Sequence, residues 1–90
     1  MKVIFDAAKD TENQRKHGIS LSEAALMDWD AALVWQETRH DYEEIRMVAL
    51  GEIGERLYCV VFVDRESDRR IISLRKANQR EFDHYEQEIN

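Results

Sequence analysis

The sequence has no proline, three glycines and a single cysteine. Without proline there is no prolyl isomerisation step, and no helix or strand is interrupted by a ring. Gly18, Gly51 and Gly54 stand apart from one another, so the glycine-rich loop that cradles phosphates is absent. Cys59 has no partner cysteine, which excludes an intrachain disulfide and points to a reducing compartment. Set in the apolar run Leu57–Val63, it reads as a small buried hydrophobe rather than a nucleophile. The three histidines, His17, His40 and His84, show no metal-ligand spacing, so zinc is excluded and no cofactor is expected. No serine sits in a nucleophile elbow. No charged-then-apolar segment opens the chain and no run approaches bilayer length, so the expectation is a cytoplasmic protein with no membrane contact. Cations are outnumbered: the net charge is −6 and the pI about 5.0. That balance opposes general nucleic-acid binding, which ordinarily leaves a basic pI.

What is present is local. Between Arg65 and Arg80 lie six Arg or Lys residues against two acids, Glu66 and Asp68. A cationic stretch on an anionic chain points to a specific anion site. It lies where a strand hands over to a helix, which presents side chains and helix N–H groups together. The 43% hydrophobic content excludes disorder, and 36% charged residues imply a heavily ionised surface. Ninety residues allow one small domain, 1–90.

Val3–Phe5 is a short strand candidate. Asp6 caps a helix over Ala7–His17, which Gly18 stops. Ser20-Leu21-Ser22-Glu23 fits a capping box for a second helix ending near Asp28 to Asp30. Strands are expected over Ala32–Thr38, Ile45–Leu50, Leu57–Val63 and Arg70–Lys76, with connections at Gly51–Glu55 and Asp64–Asp68. Asn78-Gln79-Arg80-Glu81 opens a last helix whose Phe82, Tyr85 and Ile89 form an apolar stripe for the sheet. The expected fold class is α+β. An antiparallel sheet of three to five strands carries two N-terminal helices and one C-terminal helix.

Strand alternation sets Ile71, Ser73 and Arg75 on one face and Ile72, Leu74 and Lys76 on the other. Arg46 shares the side of Arg75 in one register and not in another. Arginine forks suit phosphate oxygens, and alternatively pair with Glu43, Glu44 or Glu81. His17 is either a helix C-terminal cap or a proton carrier near neutral pH. His40, in a polar loop, and His84 read as surface residues. Tyr85 is a base stacker, a proton donor or a core ring with a polar tip. Trp29 and Trp35 are core or part of a partner-binding face.

Several of these pieces, in this order, resemble the BrnT toxins. They are Phe5-Asp6, Lys9, Asn13, Lys16-His17-Gly18-Ile19-Ser20, Glu23-Ala24-Ala25, His40, Glu44, Arg46, Ala49-Leu50-Gly51, Arg56-Leu57, Val60-Val61, Arg70–Ala77, Glu81 and Tyr85. The Lys-His-Gly-Ile-Ser block and the Arg-Ile-Ile-Ser-x-Arg-Lys-Ala block carry most of the specificity. The resemblance implies a RelE-like fold and a type II toxin that cuts RNA and inhibits translation. It implies neutralisation by a BrnA-type ribbon-helix-helix antitoxin, a hetero-oligomer with it, and promoter DNA contact only through that complex. It places catalytic weight on Arg46, Arg75, Glu44, Lys16 and His17.

The expected activity is a metal-independent endoribonuclease. A ribose 2′-oxygen attacks the adjoining phosphate, a base removes its proton, cations hold the phosphate and an acid protonates the leaving oxygen. Arg75 and Arg46 are the expected phosphate holders, His17 or Glu44 the base, and Lys16 an assistant. Arg70, Lys76, Arg80 and Tyr85 are expected to bind the RNA. The alternative is a non-catalytic interaction module whose Arg stripe takes an acidic partner segment. A DNA-binding subunit fits less well, because no helix carries a set of base-reading side chains.

Overall fold

The computed structural model describes residues 1–38 and 43–89; His40 lies outside them. The element order is β1 (Lys2–Ile4), α1 (Ala7–His17), a 3₁₀ helix (Leu21–Leu26), β2 (Leu33–Gln36), β3 (Met47–Ile53), β4 (Arg56–Arg65), β5 (Asp68–Lys76) and α2 (Gln79–Ile89). The five strands form one sheet in the order β1-β5-β4-β3-β2. β2 to β5 are an antiparallel meander, but β1 pairs parallel with β5, so the sheet is mixed rather than wholly antiparallel. The correction has a simple cause. α1 and the 3₁₀ helix separate β1 from the meander, and a strand returning after such a connection is free to lie parallel.

Local signals set α1. Asp6 is extended and its carboxylate accepts the Lys9 N–H at 3.0 Å. At the other end Gly18 takes φ 70°, a left-handed conformation suited to glycine, and its N–H donates to the Gln14 carbonyl. Between them Asn13 is buried. Its amide accepts the Leu74 N–H at 3.1 Å and donates to the Leu74 carbonyl at 2.8 Å. β1 covers β5 only at Asp68–Arg70, so Asn13 completes the ladder where the edge would otherwise be open. Leaving such groups unpaired and buried costs about 1–3 kcal/mol each.

The segment after Ser20 is a 3₁₀ helix of six residues rather than the longer helix expected. Nor does the expected Ser20–Glu23 capping box form. The Ser20 hydroxyl donates to Asp10 at 2.9 Å and accepts the Ser22 N–H at 3.1 Å. Asp10 also accepts the Leu21 N–H at 2.7 Å. Beyond Leu26 the chain is drawn off its helical path: the Trp29 indole donates to the Ala24 carbonyl and the Asp28 N–H to the Glu52 carbonyl. The descending chain crosses β3 at Gly51, where a Cβ would lie 2.7 Å from Met27 Sδ.

The main core lies between the 3₁₀ helix and the sheet, built on Leu21, Ala24, Val60, Phe62, Ile71 and Leu74, all fully buried. Each large apolar side chain there contributes about 1.5–3 kcal/mol. A bulge opposite Val61/Phe62 breaks the alternation of β5. Ile71 and Leu74 therefore share the core face, and Ile71 does not lie with Ser73 and Arg75 as strict alternation predicts. On the other face α2 seats Tyr85 among Val48, Leu50, Leu57 and Cys59. Of its apolar stripe only Tyr85 is fully covered; Phe82 and Ile89 are 43% and 50% exposed at the rim.

Candidate active site

β4 divides the sheet into two faces. Tyr58, Val60 and Phe62 turn to the main core, while Leu57, Cys59 and Val61 turn away. By the same alternation Val63 and Arg65 turn away as well. α2 covers one end of this second face. The rest holds two cavities side by side, one walled by Val61 and the next by Val63.

The first, of about 380 Å³, contains Arg75 and Arg80 with Glu37 and Glu81, and Trp35 and Thr38, over a floor of Val48, Cys59 and Val61. Arg75 leaves β5 opposite Cys59 and meets Glu81 in a two-pronged pair, both bonds 2.8 Å. Glu81 has a second task. Its carboxylate accepts the Asn78 N–H at 2.9 Å while the Asn78 side chain accepts the Glu81 N–H at 2.8 Å. This is the capping box expected for α2. One carboxylate thus fixes the start of the helix and the angle of the guanidinium. The Arg75 bond is the main cause holding Glu81 below the ordinary glutamate range; the Asn78 N–H adds to it, and so does the Cys59 thiol. Arg75 is raised in turn by Glu81. Two bonds to Glu81 and one to the Lys76 carbonyl use three of its donors. Among the described residues, that leaves two of a guanidinium's five N–H groups for an anion.

The second cavity, about 460 Å³, gathers Lys9, Arg46, Arg65 and Arg70 with Glu43 and Glu44. Arg46 directly precedes β3, and its carbonyl accepts the Glu37 N–H at 2.8 Å, extending the β2–β3 ladder. Glu44 is clamped by Arg65 through both carboxylate oxygens. That bond is the main cause lowering the Glu44 pKa, with the charges of Arg65 and Arg70 behind it. Among the described residues no cluster of three His, Cys, Asp or Glu side chains is placed to hold a metal ion.

The family model for the ribonuclease toxin BrnT of type II toxin–antitoxin systems matches residues 5–81. The chain belongs to the BrnT family of ribonuclease toxins. The fold is similar to the crystal structure of the BrnT ribonuclease toxin of Brucella abortus, with a TM-score of 0.70 and 31% identity. The likeness covers 88% of this chain and 99% of that one. No curated protein matches the sequence. Membership in a type II system implies an antitoxin partner. No helix among the described residues is long and apolar enough to cross a membrane.

For a BrnT toxin, then, the expected site residues fall in three places. Arg75 and Arg80 share the first cavity; Lys76 is exposed at the end of β5 opposite Tyr58, so it turns to the other face of the sheet and lines neither cavity. Arg46, Glu44 and Arg70 share the second. Lys16 and His17 are exposed on the last turn of α1 and line neither cavity; Lys16 is 3.7 Å from Glu12. Lys9, Asn13 and His17 fall at i, i+4 and i+8 and share one side of α1, Lys9 a turn before Asn13 and His17 a turn after it. Tyr85 is 5% exposed. Its hydroxyl pKa is raised by burial and then by Glu52, Asp28 and Glu86. It is the core ring of the three alternatives, and it serves the site by seating α2. Two residues went unrecognised as site candidates. Trp35 lines the Arg75 cavity, and His84 meets its ring edge-to-face at 5.8 Å between centroids. The spacing of Arg80 and His84, one helical turn, was visible in sequence; the strand register that brings Trp35 to them was not.

Proposed function

We propose that this chain is a metal-independent endoribonuclease of RelE-like type that stops translation by cutting RNA, and that a BrnA-type ribbon-helix-helix antitoxin neutralises it. The observation that carries the reading is Arg75, held by Glu81 with two N–H donors spare, beside Arg80 in a cavity on the open sheet face. In-line attack by a 2′-oxygen builds charge on the phosphate oxygens, and prepositioned guanidinium donors stabilise that charge more than they stabilise the substrate. Arg75 and Arg80 hold the scissile phosphate. Arg46 and Arg70 hold a second phosphate of the strand in the adjoining cavity. Val63 and Cys59, opposite Arg70 and Arg75, are four residues apart on β4, ~13 Å along the strand, a span suited to two phosphates of one strand with another between them.

For the base, Glu44 is a weak candidate, since its clamp by Arg65 favours the ionised form and blunts its appetite for a proton. His17, the other candidate, stands exposed on the last turn of α1 and lines neither cavity. The test is cleavage of a labelled single-stranded RNA in EDTA, wild type against Arg75→Ala. Cuts by wild type alone support the reading. Equal cuts by both, or cuts that need a divalent ion, sink it.

One observation favours an interaction module instead: Arg75 and Arg65 are both already clamped by carboxylates, Glu81 and Glu44. An acidic partner segment could exchange for either clamp. Soluble, folded wild type that causes neither growth arrest nor new RNA ends on expression would favour this second reading.

A further inference from the structure

We propose that Trp35 forms a base-stacking subsite, its indole packing on a nucleobase of single-stranded RNA next to the phosphate held by Arg75 and Arg80. The proposal rests on the ribonuclease reading and deepens it.

The sheet register puts Trp35 there. Trp35 pairs with Val48, Val48 with Val61, and Val61 with Ser73. Directly opposed residues share a face, so these four form one row across the sheet. The next row runs Leu33, Leu50, Cys59 and Arg75, ~7 Å further along the strands. Trp35 and Arg75 thus stand on the same face, at opposite sides of a floor made by Val48, Cys59 and Val61. The long side chains close the distance and line one cavity.

The cavity walls differ in kind. A bare phosphate asks only for cations. Here the cations occupy one side, the floor is apolar, and the far side is an indole 37% exposed, followed along the chain by Gln36, Glu37 and Thr38. A nucleotide has both parts, an anionic phosphate and a flat π-face, and any base satisfies an aromatic platform. About 380 Å³ lies within the range of small-ligand sites.

The second tryptophan makes the contrast. Trp29 meets Phe62 edge-to-face at 5.3 Å, donates its indole N–H to Ala24, and lies under the Arg69 guanidinium at 4.6 Å. It is a half-buried ring packed on the main core. Trp35 belongs to neither core cluster. Its ring neighbour is His84, at 85° to it. Because Arg80 and His84 lie one turn apart on α2, the same helix face that brings a phosphate ligand also sets the plane of the indole. A platform fixed in this way loses little freedom on binding.

The test uses the full chain and a short single-stranded 2′-O-methyl RNA, whose blocked 2′-oxygen cannot attack. Affinity is read by anisotropy of the labelled strand, and Trp35 by protein fluorescence. Wild type should bind with quenching. Trp35→Ala should bind ~5–100-fold more weakly, and Trp35→Phe should recover most of the loss. Strands with one abasic site, moved along the sequence, should weaken wild-type binding at one position by a similar factor. That scan needs no variant and stands even where Trp35→Ala fails to fold. Binding by wild type that is indifferent to the abasic position, or unchanged in Trp35→Ala, overturns the subsite and leaves the ribonuclease reading in place. No binding of RNA by wild type at any salt overturns both.

Discussion

The two cavities on the open face hold similar side chains and treat them differently. In the Arg75 cavity one guanidinium is fixed by one carboxylate, and that carboxylate is tied into a helix cap. In the Arg46 cavity, four cations face two exposed glutamates, and the clamp visible there, Arg65 to Glu44, joins side chains about half exposed. The first arrangement sets a direction; the second sets a field. Catalysis of phosphate displacement gains most from donors already aimed at the developing charge. Strand binding gains from summed charge, which salt screens. On the proposed ribonuclease reading, the chemistry belongs to the Arg75 cavity and retention of the strand to its neighbour.

The largest expected effect follows directly. Arg75→Ala should lower the RNA cleavage rate by ~100-fold or more, as the loss of one aimed donor does elsewhere, with Tm lowered only by the loss of the Glu81 clamp, less than in Glu81→Ala because the Asn78 cap remains. Arg70→Ala should lower it only several-fold, mostly through KM. Single-turnover rates at saturating RNA separate the two. Equal losses in kcat would erase the distinction between aiming and field.

Next in size is Glu81. Glu81→Ala removes the clamp and the cap together, so it should cost stability of ~1 kcal/mol, allowing for an Arg75 side chain 38% exposed, or ~4–8 °C in Tm for a chain of this length. Glu81→Gln keeps one acceptor for Asn78 and loses the charge. It should keep most of the stability and lose cleavage by ~10-fold, because the Arg75 fork is then less firmly held. Thermal melts beside kcat values check this. A Gln variant as active as wild type would show that Glu81 caps the helix and does not position Arg75.

A smaller effect distinguishes the neighbouring cavity. The salt slope of RNA affinity should fall by about one contact in Arg70→Ala and in Lys9→Ala. A slope unchanged in both would place the strand elsewhere on the protein.

The sequence carried much of this, and the divide between legible and illegible is physical. α1 was readable to the residue because Asp6 and Gly18 act within one turn of the ends they set. The α2 cap was readable for the same reason, through Asn78 and Glu81. The meander followed from short connections. What stayed hidden depends on distant partners. β1 pairs with β5 across more than sixty positions, and three residues carry no signal of direction. The bulge at Ile72 is a property of two strands together, so the faces of β5 could not be assigned from alternation alone. Trp35 looked like either core or partner surface because its role is set by Val48, Val61 and α2, none of them local to it. Arg75 was found as a cation in a stripe, and its clamp appeared beforehand only as one option among three glutamates.

The smallest prediction concerns acid. Glu81 and Glu44 both have lowered pKa values, and both owe this first to an arginine. A carboxylate with a depressed folded value adds stability that is complete above the unfolded value of 4.5 and is lost as pH falls through the folded value below it. Both glutamates thus contribute to acid lability in the window below pH 4.5. They should part company in salt. Glu81 is 18% exposed and roofed by its own helix start, whereas Glu44 is 45% exposed, so screening should silence Glu44 first. Tm measured from pH 6 down to 3, at low and high ionic strength, tests this in wild type, Glu81→Gln and Glu44→Gln. Glu81→Gln should flatten the acid decline in both salts, and Glu44→Gln only in the lower one. Identical behaviour of the two variants would mean that the Arg75 clamp is no better sheltered than the Arg65 clamp, and the argument that one cavity aims while the other merely attracts would lose its electrostatic basis.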